Sequence, residues 1–227
     1  MKITKLFHAA LMLQNAEQSL FIDLSAMNND LPDLTEQTVL ASVYTHVHGD
    51  HYSAEHLRTL LSKNPNLEIF ASADTAAQIA KDGISATVIV PKIDGTTYKV
   101  GSFTLSFFGN RHAHIVKGDD KGDNIGVVVN HQLIDPGDSF DLPEPSQISK
   151  NYILALPTTG PWLKFMDTVE MLRDATSKLG VPKFIFPIHD GIGGDFDNNM
   201  VRRQLPEVAE KLVTQVAFLA PGESIEA

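Results

Sequence analysis

The pattern of apolar and polar residues predicts that strands and helices alternate along much of the chain. Apolar runs of strand length occur at residues 39–44, 67–71, 87–90, 152–156 and 183–188. Apolar residues recur at helical spacing over residues 53–63, 74–81 and 161–180, with Ser53 as a candidate N-cap. Alternation of this kind is typical of α/β proteins.

Two other stretches favour antiparallel pairing. Residues 2–24 are predicted to form a hairpin, and residues 96–134 a series of short strands separated by turn residues. Near the C-terminus we predict a short helix that opens at Pro206, because proline is favoured at the first helical position. The two halves each combine sheet and helix, which indicates two sheets stacked between helical layers.

Composition narrows the class of protein. The chain has 227 residues, 43% of them hydrophobic and 20% charged, with no compositional break, so we expect one domain over residues 1–227. A net charge of −10 argues against a nucleic-acid partner. No apolar run approaches the roughly 18 residues of a membrane helix, and no signal core opens the chain. We therefore expect no membrane partner and a cytoplasmic location.

The sequence THVHGDH at residues 45–51 follows an apolar run and carries candidate metal ligands. Residues two apart on an extended segment point to the same side, so His46 and His48 can bind one ion. Gly49 permits a sharp turn, after which Asp50 and His51 are placed to bind a second ion. A single histidine is usually structural, but three histidines and an aspartate in this spacing are hard to explain by packing.

Two ions need more ligands than this segment holds, and candidates follow other predicted strands. They are His112, Asp138 and His189. His114 is an alternative to His112, because residues two apart on an extended segment share a face. The chain has no cysteine, so histidine and carboxylate side chains must bind any metal.

Four segments resemble the metallo-β-lactamase superfamily, and more narrowly its ascorbate-6-phosphate-lactonase-like branch. They are THVHGDH at 45–51, RHAH at 111–114, DPGDS at 135–139 and PIHDG at 187–191. The segment FHAA at 7–10 is similar to an opening Gly-His-Ala/Ser segment of that branch, and a strand ending in Ile22 and Asp23 follows it. Two positions depart from the pattern: no glycine precedes His8, and Asp135 stands where relatives often carry a histidine.

The resemblance implies an αββα sandwich with two mixed sheets between helical layers and two metal ions at one edge. It further implies that one ion is held by His46, His48 and His112, that the other is held by Asp50, His51 and His189, and that Asp138 bridges them. The Arg-His-Ala frame favours His112 over His114. We expect zinc, and manganese or iron also fits such ligands.

These ligands predict a metal-dependent hydrolase of that superfamily. A metal-bridged hydroxide is expected to attack a small ester, lactone or phosphoester. Asp50 would orient the attacking water and pass its proton on, and Asp138 would fix the metal spacing. Two alternatives are a phosphodiesterase or nuclease of the same superfamily and a metal-binding or sensing protein without turnover.

The lactonase-like branch suggests a small anionic substrate. Residues that either pair with this anion or are ordinary surface charges are Arg111, Lys117, Lys121 and Lys164. The loop at residues 117–124 is interpreted as an ordinary hairpin connection or, less favoured, as a lid. Trp162 either contacts substrate or anchors a helix, with the resemblance favouring the site. His8 either supports the site or is a half-buried structural residue. The oligomeric state is not predicted.

Overall fold

The computed structural model describes residues 1–29, 31–114 and 122–227, and these ranges contain thirteen strands and four α-helices. The strands are β1 Lys2–Lys5, β2 Leu11–Asn15, β3 Gln18–Ile22, β4 Thr38–Tyr44, β5 Glu68–Ala71, β6 Val88–Ile89, β7 Thr97–Val100, β8 Phe103–Phe108, β9 Gly126–Val129, β10 Leu133–Asp135, β11 Ile153–Pro157, β12 Phe184–Ile188 and β13 Ser224–Glu226. The helices are α1 Ala54–Lys63, α2 Ala73–Lys81, α3 Phe165–Leu179 and α4 Asp195–Lys211.

The strands form two mixed sheets. One has seven strands in the order β13-β1-β2-β3-β4-β5-β6, and the other has six in the order β12-β11-β10-β9-β8-β7. In the first sheet, β13 to β3 pair antiparallel and β3 to β6 pair parallel. In the second, β10 to β12 pair parallel and β7 to β10 antiparallel. The predicted combination of α/β units with antiparallel strands is confirmed.

Three apolar clusters define the layers. The central cluster joins inward-facing residues of both sheets, such as Phe70 and Phe107. The helices α1 and α2 pack through Leu57 and Ile79 on the outer face of the first sheet, while α3 and α4 pack on the outer face of the second. The predicted αββα sandwich is therefore confirmed. The extent of the domain, residues 1–227, stays a prediction.

The predicted helix that opens at Pro206 is wrong, because Pro206 lies inside α4, which begins at Asp195. Proline lacks the backbone N–H that an interior helical position uses, which normally disfavours it there. Apolar packing of one helix face on the second sheet compensates for this loss, and Asp195 and Asp197 in the first turn favour an earlier start. The buried residues of that face are Val201, Leu205 and Ala209.

The helix α3 also starts later than predicted, at Phe165 instead of near Pro161. The preceding residues form a turn in which Leu163 N–H donates to the Gly160 carbonyl. The backbone N–H of Lys164 then donates to Asp167 at 2.8 Å, which caps the helix. Trp162 is consequently placed on a loop. None of the described helices combines the length and apolar character that crossing a membrane requires.

We expect Phe70→Ala to lower the free energy of unfolding by about 3–5 kcal/mol, because Phe70 is fully buried between the sheets. Its ring packs 5.3 Å from Tyr98 and 5.5 Å from Phe107. The matched control is Phe196→Ala, since Phe196 is 81% exposed and should change stability by about 0.5 kcal/mol or less. Urea unfolding measures both, and equal effects would contradict the assignment of the central core.

Candidate metal centre

The structure brings all seven predicted ligands together. They lie on loops that follow the carboxyl ends of β4, β8, β10 and β12. Among the described residues, two groups have ligand atoms within 4.8 Å of one another. One group is His46, His48, His112 and Asp138, and the other is His8, Asp50, His51 and His189.

Asp138 lies between the two groups and is buried. Its Oδ1 is 3.1 Å from Nε2 of His51, and its Oδ2 is 3.1 Å from Nε2 of His189. The same Oδ2 lies 3.3 Å from Nε2 of His112 and 3.7 Å from Nε2 of His46. One carboxylate thus faces imidazoles of both groups, which is the position that a bridging ligand needs.

Asp50 occupies the more open side of the second group. Its Oδ2 is 3.3 Å from Nε2 of His8, 3.4 Å from Nε2 of His189 and 3.9 Å from Nε2 of His51. The Asp50 side chain is 24% exposed, whereas these three rings are buried. His48, on the other group, is exposed. Solvent and small molecules can therefore reach the site beside Asp50 and His48.

Four of the proposed ligand histidines donate a hydrogen bond from Nδ1. A neutral imidazole has one ring proton, so a ring that donates from Nδ1 presents the lone pair of Nε2. The bonds run from His46 to Thr45 Oγ1, from His51 to Asp23, from His112 to the Ala113 carbonyl and from His189 to the Thr159 carbonyl. Each of these rings directs Nε2 toward Asp138.

Asp23 sets two of these rings, and the sequence interpretation gave it no role. It follows β3 at a φ of 50° and is fully buried. Its carboxylate accepts from Thr45 N–H, from the Thr45 hydroxyl and from His51 Nδ1, each at 2.7 Å. Because the Thr45 hydroxyl donates its proton to Asp23, the Thr45 Oγ1 atom can only accept a hydrogen bond from His46 Nδ1. The sequence signal that could have identified Asp23 is its position as a carboxylate directly after an apolar strand.

The donor set fits a divalent cation. Within the described part of the chain, buried atoms without a hydrogen-bond partner include Nε2 of His46, His51, His112 and His189, together with Oδ1 of Asp138. Lone pairs that face a carboxylate repel it unless a positive charge lies between them. Imidazole nitrogen and carboxylate oxygen are ligands that zinc accepts, and manganese and iron accept them as well.

The pKa shifts indicate the same need for positive charge. Burial opposes ionisation of Asp138, but the imidazoles of His51 and His46 outweigh it and hold the Asp138 pKa well below its usual range. Burial lowers the pKa of His51, yet Asp138 and Asp23 outweigh it and raise that pKa well above its usual value. Burial, reinforced by Asp23, raises the pKa of the neighbouring Asp135 carboxyl.

Two further residues shape the site. The ring of Trp162 lies 5.4 Å from His189 and 5.8 Å from His112, so it contacts a histidine of each group. Its placement before α3 brings it to the site, as the resemblance favoured. Asn124 is buried and accepts from Asp138 N–H at 2.9 Å, while its amide donates to the Pro136 carbonyl. The sequence interpretation did not identify Asn124 as a supporting residue.

The remaining residues predicted from the sequence differ in where the structure places them. His114 is exposed and lies outside both ligand groups of the described residues. Arg111 and Lys164 are exposed and flank the site residues His112 and Trp162 in sequence. The predicted anion contacts at Lys117 and Lys121 and most of the candidate lid at 117–124 lie outside the described residues. The ligand and catalytic roles themselves stay predictions.

Comparison with known proteins identifies the family. A family model described as "Beta-lactamase superfamily domain" matches residues 22–142, which is more than half of the chain. Protein Rv0786c of Mycobacterium tuberculosis is 27% identical over 197 residues, covering 85% of each chain. This relative extends the sequence similarity beyond the matched segment.

Two solved structures share the fold. The metallo hydrolase Igni18 of Ignicoccus hospitalis superposes with a TM-score of 0.69 at 18% identity, covering 99% of this chain and 97% of Igni18. An isothiocyanate hydrolase from Delia radicum gut bacteria superposes with a TM-score of 0.68 at 19% identity, covering 100% of this chain and 99% of that protein. At this level of identity the likeness concerns the fold.

We expect Asp23→Asn to weaken metal binding by about 10–100-fold, because an amide cannot accept all three hydrogen bonds from Thr45 and His51. Asp33→Asn is the control, since Asp33 is exposed and accepts hydrogen bonds from the nearby Thr35. Metal titration of both variants measures the effect. Equal affinities would show that Asp23 does not support the ligands.

The pair His112→Ala and His114→Ala tests the choice between neighbouring histidines. His112 is buried with Nε2 facing Asp138, so its loss should remove about one equivalent of bound metal. His114 is exposed and should leave the metal content unchanged. Elemental analysis of the two purified variants decides, and the reverse pattern would assign the ligand to His114.

Proposed function

The chain belongs to the beta-lactamase superfamily, and we propose that it is a metal-dependent hydrolase that cleaves a small anionic ester, lactone or phosphoester. The convergence on Asp138 of four buried imidazole Nε2 atoms that have no hydrogen-bond partner is the observation that carries the proposal. Such an arrangement has no use in packing alone, because each buried nitrogen would be left without a partner.

Two divalent ions are proposed, with zinc as the first expectation. One would be held by His46, His48 and His112, the other by Asp50, His51 and His189, with Asp138 shared between them. Bound ions of this kind polarise the bond to be cleaved and lower the pKa of water toward about 7. The chain supplies no cysteine nucleophile, so attack by water is the simplest chemistry.

Asp50 is the residue proposed to handle the attacking water. Burial opposes its ionisation, but contacts with His189 and His8 outweigh it and hold the Asp50 pKa well below its usual range. The side chain is also partly exposed, so an ionised oxygen faces the accessible side of the site. Asp50 would accept a hydrogen bond from the water, orient it and relay its proton. Asp138, which is buried between the two ligand groups, would fix the spacing of the two ions.

An anionic substrate is supported by exposed cations that lie near site residues in sequence and by a net charge that disfavours a nucleic-acid partner. Arg111 precedes His112, and Lys164 follows Trp162, whose ring contacts both histidine groups. The net charge of −10 disfavours long polyanions, which need clustered basic residues. A small anion that two cations can neutralise is compatible with both observations.

The purified protein should contain about two equivalents of divalent metal, and Asp138→Ala or His48→Ala should lose metal and hydrolysis together. His131→Ala is the control, because His131 is exposed and its ring bonds the Gln147 carbonyl away from the two ligand groups. Metal analysis and a screen of lactones, phosphodiesters, thioesters and isothiocyanates measure the two properties. A chelator should abolish activity, and zinc should restore it.

Hydrolysis that persists unchanged in metal-free protein would overturn the proposal. Tight binding of metal without turnover of any compound in the screen would instead favour a metal-binding or sensing protein.

A further inference from the structure

We propose that His8 is a hydrogen-bond donor that positions Asp50, and that it is not a ligand of the metal centre. This inference rests on the proposed metal site and adds a residue to it. His8 would act through Asp50, as a positioning residue.

Distance alone does not separate His8 from the ligands. The ring is buried, lies 4.1 Å from the ring of His189 and 5.8 Å from that of His51, and places Nε2 3.3 Å from Oδ2 of Asp50. It therefore falls in the same group as Asp50, His51 and His189. Its Nε2 also has no aligned hydrogen-bond partner within the described residues.

The position of the ring proton separates them. The backbone N–H of Gly191 donates to Nδ1 of His8 at 3.0 Å, so Nδ1 uses its lone pair and the ring proton is on Nε2. A metal bond through Nε2 would need the lone pair that the proton now occupies. His51 and His189 show the opposite pattern, because both donate from Nδ1.

The proton on Nε2 faces a carboxylate. Nε2 of His8 and Oδ2 of Asp50 lie 3.3 Å apart, which is close enough for a hydrogen bond once the N–H points at the oxygen. Asp50 is the only one of the proposed carboxylate ligands with substantial exposure, at 24% against 2% for Asp138. A hydrogen bond from His8 would restrict the rotation of the Asp50 side chain, which its partial exposure would otherwise permit.

The backbone around His8 is built for this contact. A Cβ on Gly191 would lie 3.0 Å from the His8 Cβ and 2.8 Å from Phe7 Cε1, so glycine favours the close approach of the donor. His8 itself has a φ of 63°, a left-handed conformation that brings a strain cost for a residue with a side chain.

A buried lysine joins the two segments that carry this pair. Nζ of Lys5 donates to the His8 carbonyl at 3.2 Å and to the Asp190 carboxylate at 2.7 Å. Lys5 is 1% exposed, while the Asp190 side chain is 25% exposed. Lys5 lies in β1 and Asp190 directly precedes Gly191. Their ion pair therefore helps to fix the distance between the Gly191 N–H and Nδ1 of His8.

Long-range ¹H–¹⁵N spectra of ¹⁵N-histidine-labelled wild-type protein, recorded without metal and with zinc, test the proton position directly. The His8→Gln variant assigns the signal. We expect His8 to carry its proton on Nε2 in both states, whereas with zinc His51 and His189 should carry theirs on Nδ1 and shift at Nε2. A His8 ring protonated on Nδ1, with Nε2 shifted by zinc, would overturn the proposal.

Metal titration of three variants gives a second measurement. His8→Gln keeps an amide donor near the Nε2 position, His8→Phe keeps a ring without a donor, and His51→Ala removes a proposed ligand. Both His8 variants should still bind about two equivalents of zinc at saturation, with about 10–100-fold weaker binding for His8→Phe and partial recovery for His8→Gln. His51→Ala should bind about one. Loss of an equivalent in His8→Gln, matching His51→Ala, would overturn the proposal.

The two proposals can fail separately. A wild-type protein that binds no zinc, manganese or iron would overturn the proposed function, and the His8 tautomer in the metal-free spectra would still decide the present inference. If His8→Phe does not fold, the wild-type spectra assigned with His8→Gln decide it.

Discussion

The arrangement of the candidate metal centre depends on the need to neutralise one buried carboxylate, Asp138. Asp138 has almost no access to water, yet it faces imidazole nitrogens from three separate loops. A charge removed from water is costly unless opposite charge or hydrogen bonds replace its hydration. Each facing ring is held by a bond at its far nitrogen, so rotation cannot relieve the arrangement. A bound cation satisfies all of these groups together.

The sandwich makes this arrangement rigid. The loops that carry the ligands leave strands of both sheets, and the strands pack on each other through a continuous apolar core. Outer helices cover the other face of each sheet. Because the strand ends cannot move independently, side chains far apart in sequence are held at ångström precision. The buried residues Asp23, Asn124 and Thr159 extend this control to individual ligands.

Side chains of the same type have different roles at this site because their surroundings place the proton differently. His51 meets a carboxylate at Nδ1 and presents a lone pair, whereas His8 meets a backbone N–H at Nδ1 and presents a proton. Asp50 and Asp138 differ similarly, since one is partly exposed and the other is enclosed. Distances between heavy atoms do not reveal these differences; the hydrogen-bond partners do.

Local sequence alone determined the alternation of strands and helices, the strand that precedes THVHGDH and the candidate ligands within that segment, because apolar spacing and ligand spacing are properties of neighbouring residues. The αββα sandwich and the complete ligand set were implied by the family resemblance. Only the tertiary structure decided that Asp23 and Asn124 support the site, that Pro206 lies within a helix and that β13 pairs with β1. Those outcomes depend on contacts between distant segments. The proton on His8 is the clearest case, since it depends on Gly191, a residue 183 positions away.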